Sequence, residues 1–449
     1  MTVDRINSRT GILARSCCAV FLAAALLTGC EFQEKGKAPL EGKRIPVLLH
    51  ERTISADSSL SNESFLLPAP VVNQDWPQAG GYPNHAMHHL AVGDALKRVW
   101  KVNIGSGADD EQRFTATPIV ASGILYAMDV DHQLSAYRTE DGKRLWVTDL
   151  ANETDGDDDH IPGGIAFYRG QVFATTGFGD VVAVNAETGE VAWRENFKSP
   201  LRAAPSARAG RVIVVTLDSR VLALNVINGE TLWSFESIGE GASVLGAASP
   251  AIDGNTVVVP FASGEILALD IETGRVLWSD FLSAVSRTDT VSNLSQIRGH
   301  PVIDRGQMIS ISHGGMMASF DITSGQRNWE REVGGIDMPW VAGDVIFVLT
   351  NDAEVAAMQR NSGRIYWVTG LPLYEDPEDK EDSIVWSGPV LAGNRLIVTG
   401  SHGEAWALSP YTGTILGRVE LPSGVTVPPI VAGGTVFFLA DNADVTAYR

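Results

Sequence analysis

The chain has 449 residues, 44% hydrophobic and 20% charged, with 45 glycines, 11 tryptophans, three cysteines and a net charge of −20. That balance excludes both a multi-span membrane protein and a disordered chain. The acidic excess argues against a surface that tracks phosphates, so no nucleic-acid partner is expected.

At the N-terminus, Arg5, Arg9 and Arg15 precede an uncharged apolar run from Cys17 to Leu27. A bilayer-spanning helix needs about 20 apolar residues, so this shorter run reads as an export signal. Leu27-Thr28-Gly29-Cys30 resembles the bacterial lipobox. That resemblance implies that residues 1–29 are removed and that Cys30 becomes an acylated N-terminus; the plainer alternative is a signal peptide with an incidental cysteine. Cys17 and Cys18 would leave with the signal, so no disulfide can form inside the mature chain. Two or three acyl chains, at about 0.8 kcal/mol per buried methylene, suffice to hold a protein on a membrane. In such lipoproteins an aspartate after the cysteine retains the protein at the inner membrane. Glu31 stands there instead, which implies the outer membrane. Residues 30–72 are rich in Ser, Pro and Glu and lack periodicity, as expected of a flexible tether.

From Trp100 onward the chain repeats. The clearest unit runs from Ser249 to Trp278: three short apolar segments bounded by glycine turns, then a fourth segment closed by the tryptophan. This is the pattern of four antiparallel strands joined by tight turns. The last hairpin recurs with closing residues Trp146, Trp193, Trp233, Trp278, Trp329 and Trp367, each with a glycine four residues earlier. Gly417 closes a seventh copy, and the intervals from Trp100 onward range from 38 to 51 residues. Four-stranded propeller blades recur at about 40–50 residues. An eighth copy stops at Arg449, before its last strand, and the segment ending in Trp100 can supply that strand. The expectation is an all-β, eight-bladed β-propeller over residues 73–449, its ring closed by strands from both ends.

The repeated Ala-x-Asp-x-x-x-Gly-x-x-x-Trp unit resembles that of the quinoprotein-type propellers. In those, the tryptophan packs on the next blade's hairpin, which implies a structural role for Trp100, Trp146, Trp193, Trp233, Trp278, Trp329 and Trp367. Two families with this architecture differ in function. Quinone-dependent dehydrogenases hold pyrroloquinoline quinone and Ca2+ at the propeller centre; no convincing ligand set for them stands in this sequence. The BamB-type lipoproteins of the β-barrel assembly machinery combine an eight-bladed propeller with a lipobox and carry no cofactor, and the whole chain resembles these. The resemblance implies a non-enzymatic scaffold at the periplasmic face of the outer membrane. It would act as a monomer within the complex, docking on the POTRA domains of BamA and assisting insertion of β-barrel proteins, with unfolded barrel strands as further candidate partners. A third reading is a lipoprotein that binds cell-wall carbohydrate.

Two loops carry the BamA contact in that family. Aligned on the following prolines, the first falls on Ala242 to Gly246, with Val244, Leu245 and Gly246 as candidates. The second falls on Gln296, Ile297 and Arg298, with Gln296 and Arg298 as candidates. The family's arginine is replaced by Leu245 and its aspartates are missing from the second loop; for Arg298 the alternative is a solvated loop charge. Asp155, Asp157, Asp158 and Asp159 form an acidic loop without the glycine and distal glutamate of a calcium loop. Residues Glu375 to Asp382 form another. His85, His88 and His89 have no carboxylate or cysteine positioned with them, and a packed N-terminal plug accounts for them more simply than a metal site. No catalytic, cofactor or metal residue is assigned.

Overall fold

The computed structural model describes residues 54–61, 63–109, 112–151, 161–237, 247–282 and 296–449. The export signal, Cys30 and the tether up to residue 53 lie outside them. Eight four-stranded antiparallel sheets follow one another at 119–149, 164–196, 206–236, 251–281, 302–331, 340–370, 386–420 and 430–448. These are blades 1 to 8 of a β-propeller, and the fourth strand of blade 8 is Arg98–Asn103, paired with Asp444–Tyr448. Ring closure by strands from both ends is therefore observed. Among the described residues the only helical turn is Ser58–Leu60, and none of their helices is long and apolar enough to cross a membrane.

Burial explains why each repeat has three apolar segments and one polar segment. In blade 4, the strands Thr256–Pro260 and Glu265–Asp270 are buried on both faces between neighbouring blades, which selects continuous Val, Ile and Leu. The outer strand Val276–Phe281 is buried only at Trp278, so its other positions tolerate polar residues.

The tryptophans lock each blade to the next. Trp278 Nε1 donates to the Ile322 carbonyl of blade 5 at 2.7 Å, and its ring covers Gly325, where an added Cβ would lie 2.6 Å from the indole. The same donation runs from Trp100 to Thr139, Trp146 to Ala186, Trp193 to Val226, Trp233 to Ile271, Trp329 to Arg360 and Trp367 to Pro410. All seven expected locks form. Each turn is shaped locally: in blade 4 the Asp270 carboxylate accepts the Glu272 and Thr273 amides, and Gly274 adopts φ +71°, which L side chains avoid. Within its own sheet, Trp278 stands opposite Ala268, and the other locking tryptophans face Ala or Ser in the same way. The alanine of the repeat thus leaves room for the indole.

Blades 7 and 8 meet without such a lock. The fourth strand of blade 8 comes from residues 98–103, so no turn joins its third and fourth strands and there is nothing for a tryptophan to cover. Gly417 accordingly occupies the tryptophan position with open space around it, on a strand that is exposed throughout.

Residues 73–90 form a plug across one end of the central channel, making a full circuit of the ring. Asn73 bonds to Val431 of blade 8, Trp76 to Val120 of blade 1, Pro77 to Phe167 of blade 2 and Gln78 to Ala207 of blade 3. Pro83 then accepts from Ile252 of blade 4, Asn84 from Ile303 of blade 5, His88 from the Trp340 indole of blade 6, and Leu90 bonds to Leu391 of blade 7. The stretch before it also packs on the ring, so the tether expected to reach residue 72 is shorter. Leu60 is buried, Asp57 bonds to Ile365 in both directions, and Phe65 packs on Tyr366 and Tyr411.

Replacing Trp278 with Ala removes both a packed ring and an interblade hydrogen bond, and should destabilise the protein by about 3–5 kcal/mol. Gly325→Ala should also be strongly destabilising, whereas Gly417→Ala should change stability by less than about 0.5 kcal/mol. Chemical denaturation followed by tryptophan fluorescence separates the three.

Candidate functional site

Opposite the plug, the segments that lead into the inner strand of each blade converge on a cavity of about 130 Å³. Its floor is the plug itself, at Trp76, Ala79 and Gly80, with Trp340 stacked on Trp76 at 6.2 Å. Among the described residues, four side chains with titratable or permanent charge line it: Arg202, Arg298, His300 and Asp337.

Their electrostatics follow from partial burial. Asp337 accepts a hydrogen bond from the Gly388 amide at 3.2 Å, and desolvation pushes its carboxyl up to about 7 although the Arg298 guanidinium opposes the rise. Burial first, then the neighbouring His85 and Arg298, hold His300 down at about 3, so the ring is neutral. Its Nδ1 accepts the Ser249 amide at 2.9 Å, which places the proton on Nε2. Arg298 is half-buried, and among the described residues neither it nor Arg202 makes a hydrogen bond or an ion pair within 4 Å, although Asp337 acts on Arg298 electrostatically. Ser249 is fully buried, and its Oγ has no partner.

The expected partner-contact residues divide. Val244, Leu245 and Gly246 lie outside the described residues, as do Asp155, Asp157, Asp158 and Asp159. Gln296 is buried, and its carbonyl accepts the His313 amide at 2.8 Å. Arg298 lines the channel cavity instead of standing as a solvated loop charge. The sequence carried no signal for Arg202 or Asp337, because residues from different blades meet only once the ring is closed. The three histidines are separate plug contacts: His85 Nδ1 to the Pro301 carbonyl at 2.8 Å, His89 Nδ1 to that of Pro68 at 2.7 Å, and His88 facing Asp304 at 3.5 Å. The acidic stretch before blade 7 forms an exposed hairpin, Tyr374–Asp376 with Glu381–Ser383. Among the described residues no group of three or more His, Cys, Asp or Glu is placed to hold a metal ion. The cavity is smaller than the ~300–1,000 Å³ usual for organic cofactors.

The family model described as "Outer membrane protein assembly factor BamB" matches residues 131–369 and 375–449. A curated relative of that name from Yersinia pestis is 24% identical, over 78% of this chain and 88% of its own length. Among solved structures, BamB from Moraxella catarrhalis superposes with a TM-score of 0.65 at 21% identity, over 79% of this chain and all of that one. The quinohemoprotein alcohol dehydrogenase of Comamonas testosteroni superposes with a TM-score of 0.63 at 16% identity, over 84% of this chain and 80% of that one. At these identities the structural likenesses establish the propeller alone.

With the Asp337 carboxyl raised to about 7, the folded state holds a proton that the unfolded chain releases near 4. Its contribution to stability is present below about pH 4 and lost as pH rises through about 7. Asp337→Asn should therefore gain stability relative to the native protein between pH 4 and pH 8, with no relative gain below pH 4. Paired thermal melts across that range measure the difference.

Proposed function

The chain belongs to the family of outer membrane protein assembly factor BamB, and on that footing we propose that it is a non-enzymatic scaffold of the β-barrel assembly machinery. The observation that carries this reading is the family match, which spans most of the ring and includes the closing blade. A plugged ring with seven indole locks is suited to such a role: it is stiff, and it presents several interblade loops on the end opposite the plug. Binding energy is not spent on ordering a stiff platform.

In this reading Cys30 carries the acyl anchor, the protein faces the periplasm from the outer membrane, and its partner is BamA, through the POTRA domains. The contact is proposed at Val244, Leu245 and Gly246. Gln296 and Arg298 complete the proposed contact set, although Gln296 is buried and Arg298 lines the cavity. Outward-facing apolar positions on the outer strands, such as Val147, Val191 and Phe281, are available to barrel strands in transit.

Affinity purification of the tagged, full-length lipoprotein from membranes should recover BamA in proportion. Its absence would overturn the reading. Leu245→Asp should reduce that recovery at least tenfold while leaving the melting temperature unchanged. Cys30→Ser should move the protein from the membrane pellet to the soluble periplasmic fraction.

A further inference from the structure

The channel cavity gathers two arginines that make no hydrogen bond or close ion pair among the described residues; the one charge that acts on Arg298 across the cavity is Asp337. Arg202 and Arg298 reach it from different blades. Folding brings two guanidinium groups to the lining of one half-enclosed cavity, and burial costs Arg298 part of its hydration. Arg360 shows how this chain satisfies a buried guanidinium: it bonds to both the carboxylate and the carbonyl of Asp304, and to Gln307 at 2.9 Å. Nothing comparable meets the two channel arginines.

A second, independent observation lies on the same wall. Ser249 is fully buried, and its hydroxyl lacks any partner, whereas buried hydroxyls are ordinarily bonded. Beside it the neutral ring of His300 keeps its proton on Nε2. The wall thus offers N–H and O–H donors. Its single carboxylate, Asp337, is occupied by the Gly388 amide and bears its charge reluctantly near neutral pH.

The complement of two free guanidinium groups and a free hydroxyl is an anion with planar, bidentate oxygens. Size narrows the class. At about 130 Å³ the cavity lies below the ~300–1,000 Å³ typical of ligand pockets, which suits a carboxylate on a short stem. We propose that the mouth of the channel is a carboxylate-binding site in which Arg202 and Arg298 pair with the anion and Ser249 Oγ donates to it. The carboxylate is either that of a free small diacid or that of an acidic side chain inserted by a polypeptide. The site stands independently of the assembly-factor reading, because it rests on the chain's own unpaired donors.

The test is isothermal titration of the detergent-solubilised, full-length protein with two probes: succinate, and the blocked tripeptide acetyl-Gly-Glu-Gly-amide. Succinamide and acetyl-Gly-Gln-Gly-amide serve as neutral controls. Saturable binding of succinate alone assigns a free diacid, and binding of the peptide assigns an inserted side chain; the neutral controls stay silent in both cases. Arg298→Gln and Arg202→Gln should each weaken binding at least tenfold. Ser249→Ala removes a buried hydroxyl that has no partner in the free protein, so it should weaken binding severalfold at an unchanged or raised melting temperature. Failure of both probes to bind, or binding indifferent to all three substitutions, would overturn the proposal. Recovery of BamA in the affinity purification is a separate readout, so the two readings can fail independently.

Discussion

The contact between an indole and the glycine turn of the next blade is the constraint on which the rest of the ring depends. It demands a glycine with positive φ, because an added Cβ would sit within van der Waals distance of the ring. It also demands a carbonyl at hydrogen-bonding height, which Asn185, Asn225, Asp270 and Asp321 help to place in four of the turns by capping the turn's amides. A small residue must face the indole across its own sheet as well. Four requirements on one hairpin explain why spacing inside it is constant, whereas the interblade connections vary in length and composition without disturbing the fold. Those connections are free to specialise because they carry none of the locking geometry.

That division also marks what could be read from the sequence. The blade count, the seven locking tryptophans and the closure between the two ends follow from a hairpin whose determinants are all local. Even the exception at Gly417 is informative, since a blade completed from the other end of the chain has no turn to receive an indole. The plug is legible as a packed N-terminal segment at His85, His88 and His89, but its path around the ring is not. Residues 73–90 show no period because successive residues touch different blades, and partners such as Asn73 and Val431 are 358 positions apart. The tether boundary was misplaced for the same reason: Leu60 and Phe65 look like isolated apolar residues until blade 6 is beside them.

The channel cavity belongs to this second category. Arg202 and Asp337 lie in unremarkable sequence, and only ring closure brings them to one wall. Arg298 entered the sequence reading as a loop residue, yet the ring turns it inward. A propeller fold does not by itself decide function, which rests on the side chains that the interblade segments deliver to its centre. Here they deliver guanidinium groups and hydroxyls around a space of small-molecule dimensions.

The circuit made by residues 73–90 has a mechanical consequence. A ring of sheets that relies on face-to-face packing opens most easily at a single junction, and the one between blades 7 and 8 lacks its indole. The two ends of the plug meet at that weak point, Asn73 on blade 8 and Leu90 on blade 7, and they are tied together there because the Val71 amide donates to the His89 carbonyl and the Ala91 amide to the Val71 carbonyl. Tension applied at the N-terminal side would travel first along the strap on blade 6 and then around the inner hoop, reaching every sheet as a shear on a few hydrogen bonds. The chain that leads out of the ring is thereby also the band that keeps it round.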